Sequence, residues 1–263
     1  MMNWIKAENY EEMSRIGAER ICLVIDGGAR TGKPVRIGLA TGNTMIRLYE
    51  ILAEMLNRKR IPLCHLYTFN LDEYVDGRGA AVPYTHPLSY RKYMMEYFFC
   101  RLDPSLGFRE ENIRFPDPEN PENFDRELAD AGGSDLQLLG LGFNGHIAFN
   151  EPMAETEISV EDFGMLPTRI IKLREMTIAT NRRLTAGGKD IVPKRAVTMG
   201  MKQILDSKRL LLLACFPEQE EALKAILRGG KVTPELPASY LLKKTDSEIV
   251  YCADCIHLEC DKR

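Results

Sequence analysis

A glycine-rich segment with one histidine follows a short apolar run near the middle of the chain. It spans residues 139–151, LGLGFNGHIAFNE; its glycines are Gly140, Gly142 and Gly145, and its polar side chains are Asn144, His146 and Glu151. Glycine lets the backbone turn sharply and approach a ligand, and histidine exchanges protons near neutral pH. Glu151 can orient the ring or stabilise its charge. An apolar run followed by a glycine turn and polar side chains predicts a ligand site at the end of a parallel strand. A structural histidine with satisfied hydrogen bonds is the alternative.

Two adjacent carboxylates lie in a second candidate segment. Asp72 and Glu73 occur in TFNLDEYVDG, which reads as the end of a strand followed by a polar, glycine-rich loop. Adjacent side chains need not point the same way, so one carboxylate can face a ligand while the other braces the loop. A carboxylate held over a sugar carbon can move a proton between neighbouring carbons. For an isolated acidic pair, a solvated turn is the favoured alternative.

The third candidate is the turn after the first predicted strand. It consists of Thr41, Gly42, Asn43 and Thr44. A glycine turn that enters a helix directs free backbone N–H groups outward, which suits an anion. The turn lacks the lysine of a Walker motif, and a plain helix start capped by Asn43 or Thr44 is the alternative.

Composition describes an ordinary globular protein. The 263 residues are 44% hydrophobic and 28% charged, with a net charge of −3, so we expect no nucleic-acid partner. The apolar runs are too short to cross a bilayer, and the charged start has no signal-peptide pattern, so we expect a cytoplasmic protein with no membrane partner. The seven cysteines are scattered, which suits a reducing compartment.

The C-terminal cysteines form the one cluster with metal-ligand chemistry. Cys252, Cys255, His257 and Cys260 lie close in sequence, but their spacing matches no common zinc pattern. A last strand followed by a tail explains them better, so we predict no metal site.

Strand and helix patterns alternate along the chain. We predict strands at 35–40, 63–69, 136–141, 196–200, 210–215 and 248–252, and helices at 8–27, 43–58, 86–101 and 218–227. This alternation predicts an α/β fold, a Rossmann-like three-layer α/β/α arrangement with a mostly parallel sheet, in a single domain over 1–263. Residues 152–192 show weak periodicity and many charges, so we expect a mobile lid there.

Six segments resemble, in order, the glucosamine-6-phosphate deaminase/isomerase family, including its galactosamine-6-phosphate relatives. They are LATGNT at 39–44, TFNLDEYV at 68–75, HPLSY at 86–90, LGLGFNGHIAFNEP at 139–152, VPKRAVTMGMKQIL at 192–205 and LPASYL at 236–241. The related 6-phosphogluconolactonases share the fold but typically diverge after the Gly-His pair and lack the NEP ending. The resemblance therefore favours a deaminase.

The resemblance implies an amino-sugar 6-phosphate deaminase/isomerase, a hydrolase in overall reaction. Asp72 would move the proton from sugar C2 to C1 through an enolamine. His146 would assist ring opening, with Glu151 and Asn144 tuning it. A carboxylate and an imidazole suffice for enolisation, so no metal or organic cofactor is expected.

Further residues are expected to bind the substrate. The resemblance implies that the loop of Thr41, Gly42, Asn43 and Thr44 takes the phosphate, and we expect Glu73, Gly145 and Lys202 to contribute. Family members are often oligomers, so a homo-oligomer stays open beside the small-molecule partner.

The chain departs from the family pattern at two positions. An arginine usually follows the threonine of a T-R-x-x-N pattern, where this chain has Ile178, and a lysine usually stands where this chain has Gln219. Lys202, Arg182 or Arg183 could supply a cation for the phosphate instead. Two further functions stay open on this ground, namely the same chemistry on a different or unphosphorylated amino sugar, and a catalytically silent sugar-binding protein.

Overall fold

The computed structural model of this chain describes residues 2–184 and 191–258. In this part of the chain, seven parallel strands form the main sheet in the order β1-β10-β9-β6-β2-β3-β5. Their bounds are β1 (Asn3–Ala7), β2 (Val35–Leu39), β3 (Leu66–Asn70), β5 (Ile113–Arg114), β6 (Leu136–Gly140), β9 (Leu210–Ala214) and β10 (Ser247–Cys252). A second, antiparallel sheet has the order β4-β8-β7, with β4 (Asp72–Val75), β7 (Arg169–Lys172) and β8 (Arg195–Thr198).

The α-helices of the described part connect these strands. They are α1 (Tyr10–Thr31), α2 (Ile46–Lys59), α3 (Tyr90–Tyr97), α4 (Pro121–Asp130), α5 (Val160–Gly164), α6 (Glu175–Leu184), α7 (Met201–Asp206) and α8 (Glu220–Leu227). Helix α1 begins where Asn9 accepts a hydrogen bond from the Glu12 amide, and ends at Gly32 in the left-handed conformation. No helix in the described residues is long and apolar enough to span a membrane.

The central strands of the main sheet are buried on both faces. Every residue of β9, LLLLA, is buried, as expected for a parallel strand covered on both sides. Strand β2 pairs with β3 on one side and with β6 on the other. The strand order therefore reverses between β2 and β6, and ligands of such sheets bind beyond the carboxyl ends of the strands at this point.

The antiparallel sheet packs on its own apolar cluster. Its buried members are Tyr74, Val82, Phe149, Leu173, Ile178, Val192 and Ala196. Tyr74 and Ala196 come from β4 and β8, whereas Ile178 comes from α6. The cluster therefore fixes α6 against the sheet that carries Asp72.

The α/β fold with a mostly parallel sheet is confirmed, with two differences in its elements. No strand was predicted before residue 35, but residues 3–7 form β1, which pairs with β10 in the register Trp4 to Ile249. The segment Asp72–Val75 was expected to begin a loop, but it forms β4, because β8 pairs with it from more than a hundred residues away. Of the predicted lid at 152–192, residues 185–190 lie outside the described residues.

Candidate active site

A cleft opens beyond the carboxyl ends of β2 and β6. Its empty space, counted to the open mouth and including solvent there, is about 830 Å³. Its polar lining comprises Thr41, Asn43, Thr44, Asp72, Tyr90, Asn144, His146, Thr177, Thr180, Asn181 and Gln219. Three segments distant in sequence, those after β2, in β4 and after β6, therefore share one cavity.

The loop after β2 forms one wall of the cleft. Thr41, Gly42, Asn43 and Thr44 all line it. Gly42 has a φ of 109°, a conformation that glycine adopts without strain. The Tyr93 hydroxyl donates to the Gly42 carbonyl at 2.8 Å, and the Tyr10 hydroxyl donates to the Asn43 carbonyl at 2.9 Å. These two bonds fix the loop as it enters α2.

Asp72 lies at the start of β4 and faces the cleft, where its side chain is almost fully buried. Burial, together with the charge of Glu73, raises its pKa to about 7. Hydrogen bonding by the Thr198 hydroxyl and the Phe149 amide acts in the opposite direction. The Asp72 carboxyl therefore changes protonation state near neutral pH.

Glu73 does not line the cleft, although we expected it to contact a substrate. Because side chains alternate along a strand, it points away from Asp72 and toward the first turn of α3. Its carboxylate accepts hydrogen bonds from the amides of Tyr90 and Arg91, both at 3.0 Å, and from the Ser89 hydroxyl at 3.2 Å. It braces the N-terminus of the helix.

His146 is held by the side chain of Asn144. The His146 Nδ1 atom lies 2.8 Å from Asn144 Oδ1, and Asn144 Nδ2 donates to Glu151 Oε2 at 2.8 Å. Since Asn144 Oδ1 accepts, Nδ1 carries the proton and Nε2 is left to exchange protons. The asparagine thus serves as a bridge between the imidazole and the carboxylate.

Glu151 lies behind His146 and does not line the cleft. Its Oε2 atom is 3.6 Å from His146 Nδ1, and its Oε1 atom accepts from the Thr177 hydroxyl at 2.6 Å. Burial raises the pKa of Glu151, but His146, Thr177 and Asn144 more than offset this and lower it to about 2. The carboxylate therefore stays ionised and favours a positive charge on the imidazole.

Two glycines around His146 have different roles. A Cβ atom on Gly142 would lie 2.3 Å from the His146 ring, so the ring packs directly on this glycine. Gly145 has a φ of 83° and packs against Leu236. It does not line the cleft, although we expected a substrate contact there; its role is to make the turn.

Ile178 and Gln219, at the two positions where the family usually carries a cation, contact other parts of the protein. Ile178 is buried in the apolar cluster. Gln219 accepts from the amides of Cys215 and Phe216 and donates to the Leu141 carbonyl at 2.5 Å, so it ties the loop after β9 to the loop after β6. Among the described residues that line the cleft there is no lysine or arginine.

Lys202 does not line the cleft, although we expected it to contact the substrate. It lies on α7, outside the cleft lining, and its ammonium pairs with Asp206 one helical turn away. Arg183 lies closer to the cleft, with its guanidinium carbon 5.5 Å from the centre of the Phe143 ring, and it pairs with Glu218 at 2.7 Å. The Arg183 guanidinium thus already has a carboxylate partner.

Sequence reasoning missed several lining residues on α6. Met176, Thr177, Thr180 and Asn181 all line the cleft. Their spacing of one, three and four residues places them on neighbouring positions of a helix face, and this spacing was the available signal. Tyr90 was also missed as a lining residue, although it ends the HPLSY segment.

Cys252 and Cys255 do not line the cleft. Within residues 2–184 and 191–258, no group of three or more histidine, cysteine or acidic side chains is arranged to hold a metal ion. Cys260, part of the cluster considered from sequence, lies outside the described residues.

Known proteins resemble this chain over nearly its whole length. It is 35% identical over 255 residues to a glucosamine-6-phosphate deaminase of Thermoanaerobacter pseudethanolicus, covering 95% of this chain and 92% of the relative. The chain belongs to the glucosamine-6-phosphate deaminase family. A second member, glucosamine-6-phosphate deaminase 2 of Bacillus subtilis, is 34% identical over 256 residues, covering 95% of this chain and 94% of the relative. A comparison with models of protein families gave no match.

Solved structures agree with membership of the deaminase family. A monomeric glucosamine-6-phosphate deaminase of the NagB superfamily superposes with a TM-score of 0.82 at 30% identity, covering 98% of this chain and 100% of that chain. A 6-phosphogluconolactonase from Thermotoga maritima gives a TM-score of 0.67 at 22% identity, covering 96% and 99%. The lactonase shares the fold, while the deaminase resemblance predicted from the motifs is confirmed.

Proposed function

We propose that this chain converts an aldohexosamine 6-phosphate and water into a ketohexose 6-phosphate and ammonia. The observation that carries the proposal is that Asp72 and His146, from segments far apart in the chain, line one cleft together with the loop at 41–44. Relatives that are at least a third identical are named glucosamine-6-phosphate deaminases. The reaction needs an acid–base pair of this kind.

His146 would open the sugar ring. Its Nδ1 proton is held by Asn144, so Nε2 is the atom available for proton exchange with the ring oxygen or the C1 hydroxyl. Glu151 stabilises the imidazolium that forms when Nε2 gains a proton. The product of this step is the open-chain aldehyde.

Asp72 would carry out the isomerisation. Its carboxylate removes the C2 proton; the electron pair of that bond forms the C1–C2 double bond, and the C1=O π pair moves to O1, which takes up a proton from solvent, to give an enolamine. The same carboxyl then returns the proton to C1, while the nitrogen lone pair forms the C2=N bond and the nitrogen loses a proton to solvent. The resulting C2 imine adds water and loses ammonia, which leaves the ketose. A general base works best with a pKa near the working pH, and burial holds the pKa of Asp72 at about 7.

Ammonia release tests this proposal. The purified chain should release ammonia and ketohexose phosphate from glucosamine 6-phosphate or galactosamine 6-phosphate, and in D₂O deuterium should enter the product at C1, in those turnovers in which the Asp72 carboxyl exchanges its proton with solvent before returning it. Asp72→Asn should lose at least about 10³-fold in kcat. Asp76→Asn is the matched control, because Asp76 directly follows β4, is half-buried and does not line the cleft. Binding without turnover across both epimers would exclude catalysis.

A second candidate is the same reaction on an unphosphorylated amino sugar. It is favoured by the lack of lysine and arginine among the described residues that line the cleft. A phosphate dianion normally requires charge-assisted hydrogen bonds, and Gln219 already uses its amide for the protein. The far end of the cleft instead presents Phe143 and Phe216, whose ring centres are 5.5 Å apart.

Paired substrates distinguish the two candidates. The values of kcat/KM for glucosamine and glucosamine 6-phosphate should be measured side by side, with inorganic phosphate as a competing anion. Turnover that depends strictly on the 6-phosphate, with competitive inhibition by phosphate, supports the first candidate. Equal turnover of both sugars, without inhibition by phosphate, supports the second.

A further inference from the structure

The residue directly opposite Asp72 in the antiparallel sheet is a buried threonine. Asp72 of β4 pairs with Thr198 of β8, and Thr198 has no solvent exposure. Side chains of directly paired residues in an antiparallel sheet lie on the same face, about 5 Å apart at Cβ. The Thr198 hydroxyl is therefore a neighbour of the Asp72 carboxyl.

Within the described residues, the Thr198 hydroxyl proton and the Asp72 Oδ1 atom are each left without a well-aligned hydrogen-bond partner. Thr198 Oγ1 accepts the Phe149 amide proton at 3.0 Å, which leaves its own hydroxyl proton to donate. Asp72 Oδ1 is buried and makes no well-aligned hydrogen bond in the described part of the chain, although the Thr198 hydroxyl and the Phe149 amide lie near enough to the carboxyl to lower its pKa. Leaving a buried acceptor unpaired is unfavourable, so a donor on the facing residue is expected to serve it.

We propose that Thr198 is a positioning residue, which donates its hydroxyl proton to Asp72 Oδ1 and so leaves the second carboxylate oxygen for the substrate C2 proton. The Phe149 amide orients the hydroxyl, and Thr198 in turn orients the carboxylate. This role rests on the proposed function, in which Asp72 is the base.

Two effects follow from this hydrogen bond. It restricts rotation of the carboxyl group, so that one oxygen faces the cleft. It also stabilises the ionised form, because Thr198 lowers the pKa of Asp72 while burial raises it. Without the hydroxyl, Asp72 would hold its proton to higher pH and act as a base in a smaller fraction of molecules.

The test compares Thr198→Val, which keeps the size but removes the hydroxyl, with Thr198→Ser, which keeps the hydroxyl. In Thr198→Val, the acidic limb of the kcat/KM profile should move to higher pH by about half a unit to one unit, and kcat should fall about three- to tenfold, with KM little changed. Thr198→Ser should restore the position of the limb.

Thr168→Val is the matched control for the loss of a buried hydroxyl. Thr168 is buried and accepts the Gly200 amide proton at 3.3 Å, but its carboxylate neighbour is Asp125 rather than Asp72. It should lower the melting temperature without moving the acidic limb. If Thr198→Val behaves in the same way, Thr198 has a structural role only and the proposal is wrong.

A titration without substrate separates this proposal from the proposed function. The Asp72 carboxyl carbon can be followed by ¹³C NMR in protein labelled at aspartate, with Asp72→Asn to assign the signal. The midpoint should rise in Thr198→Val and return in Thr198→Ser, whether or not the wild-type chain turns over any sugar. Equal midpoints in the three proteins would overturn the role of Thr198, and an inactive wild-type chain would overturn the proposed function alone.

Discussion

The Thr177 hydroxyl donates to Glu151 Oε1 at 2.6 Å, and this bond joins α6 to the segment that carries His146. The Arg174 amide donates to the same oxygen at 3.3 Å. The second oxygen of Glu151 faces Asn144 and His146. The orientation of the His146 ring is therefore coupled to the position of α6 through the Glu151 carboxylate.

Thr177→Val tests this coupling. Removal of the hydroxyl leaves Glu151 Oε1 with one donor fewer in a buried position, which allows the carboxylate to rotate away from His146. We expect kcat/KM for hexosamine deamination to fall about tenfold, equivalent to one hydrogen bond. Thr177→Ser should retain most of the activity, and equal rates for wild type and Thr177→Val would show that the bond does not position the imidazole.

Asp72→Asn is expected to stabilise the fold while it removes activity. The pKa of Asp72 is raised from 3.8 to about 7 by burial, so the folded state holds this proton more tightly than the unfolded state. The stabilising contribution of the protonated form is complete below pH 3.8, is lost as pH rises, and is gone above about 7. At pH 8 the ionised carboxyl costs up to the order of 4 kcal/mol, which asparagine avoids.

Melting temperatures over a range of pH test this expectation. The difference between Asp72→Asn and wild type should be positive and largest at pH 8, and should shrink as pH falls toward 4. Asp76→Asn provides the control, because backbone hydrogen bonds from Arg78 and Ala80 lower the pKa of Asp76, so no positive difference is expected for it at pH 8. A difference that is independent of pH would mean that Asp72 is not buried as an ionisable group.

The central strands and the loops after them could be predicted from sequence. Strands β2, β6 and β9 read as mainly apolar runs, interrupted only by Arg36 and Gln137, because both of their faces are covered by helices. Because β2 and β6 are parallel, the glycine turns that follow them lie at the same edge of the sheet. Asp72 and His146 could be predicted as a pair only by adding the resemblance to a known family.

What sequence reasoning missed depends on contacts between distant segments. Strand β1 has mixed polarity and is stabilised by β10 at the other end of the chain. Strand β4 reads as a polar loop until β8 pairs with it, and the same pairing brings Thr198 to Asp72. Lys202 was expected near the substrate because of its charge alone, but the direction of α7 places its ammonium beside Asp206.

Glu151→Gln should lower the rate without moving the acidic limb that Asp72 sets. The pKa of Glu151 is lowered to about 2, so this carboxylate is ionised throughout the range from pH 5 to 9 and cannot produce an acidic limb near pH 7. Loss of its charge makes the imidazolium less stable, and we expect kcat to fall about 10²-fold. Profiles of kcat/KM against pH check this, and a limb that shifts in Glu151→Gln would assign the titration to the His146–Glu151 pair.

Glu73→Gln should affect stability rather than catalysis. The Glu73 carboxylate accepts the amide protons of Tyr90 and Arg91 and the Ser89 hydroxyl proton, all at the N-terminus of α3, and these bonds oppose the burial that raises its pKa. Glutamine keeps one acceptor oxygen, so about 1–3 kcal/mol of the free energy of unfolding should be lost. Urea unfolding measures this loss, with KM for the hexosamine unchanged because the side chain does not line the cleft. A large rise in KM at unchanged stability would instead place Glu73 against the substrate.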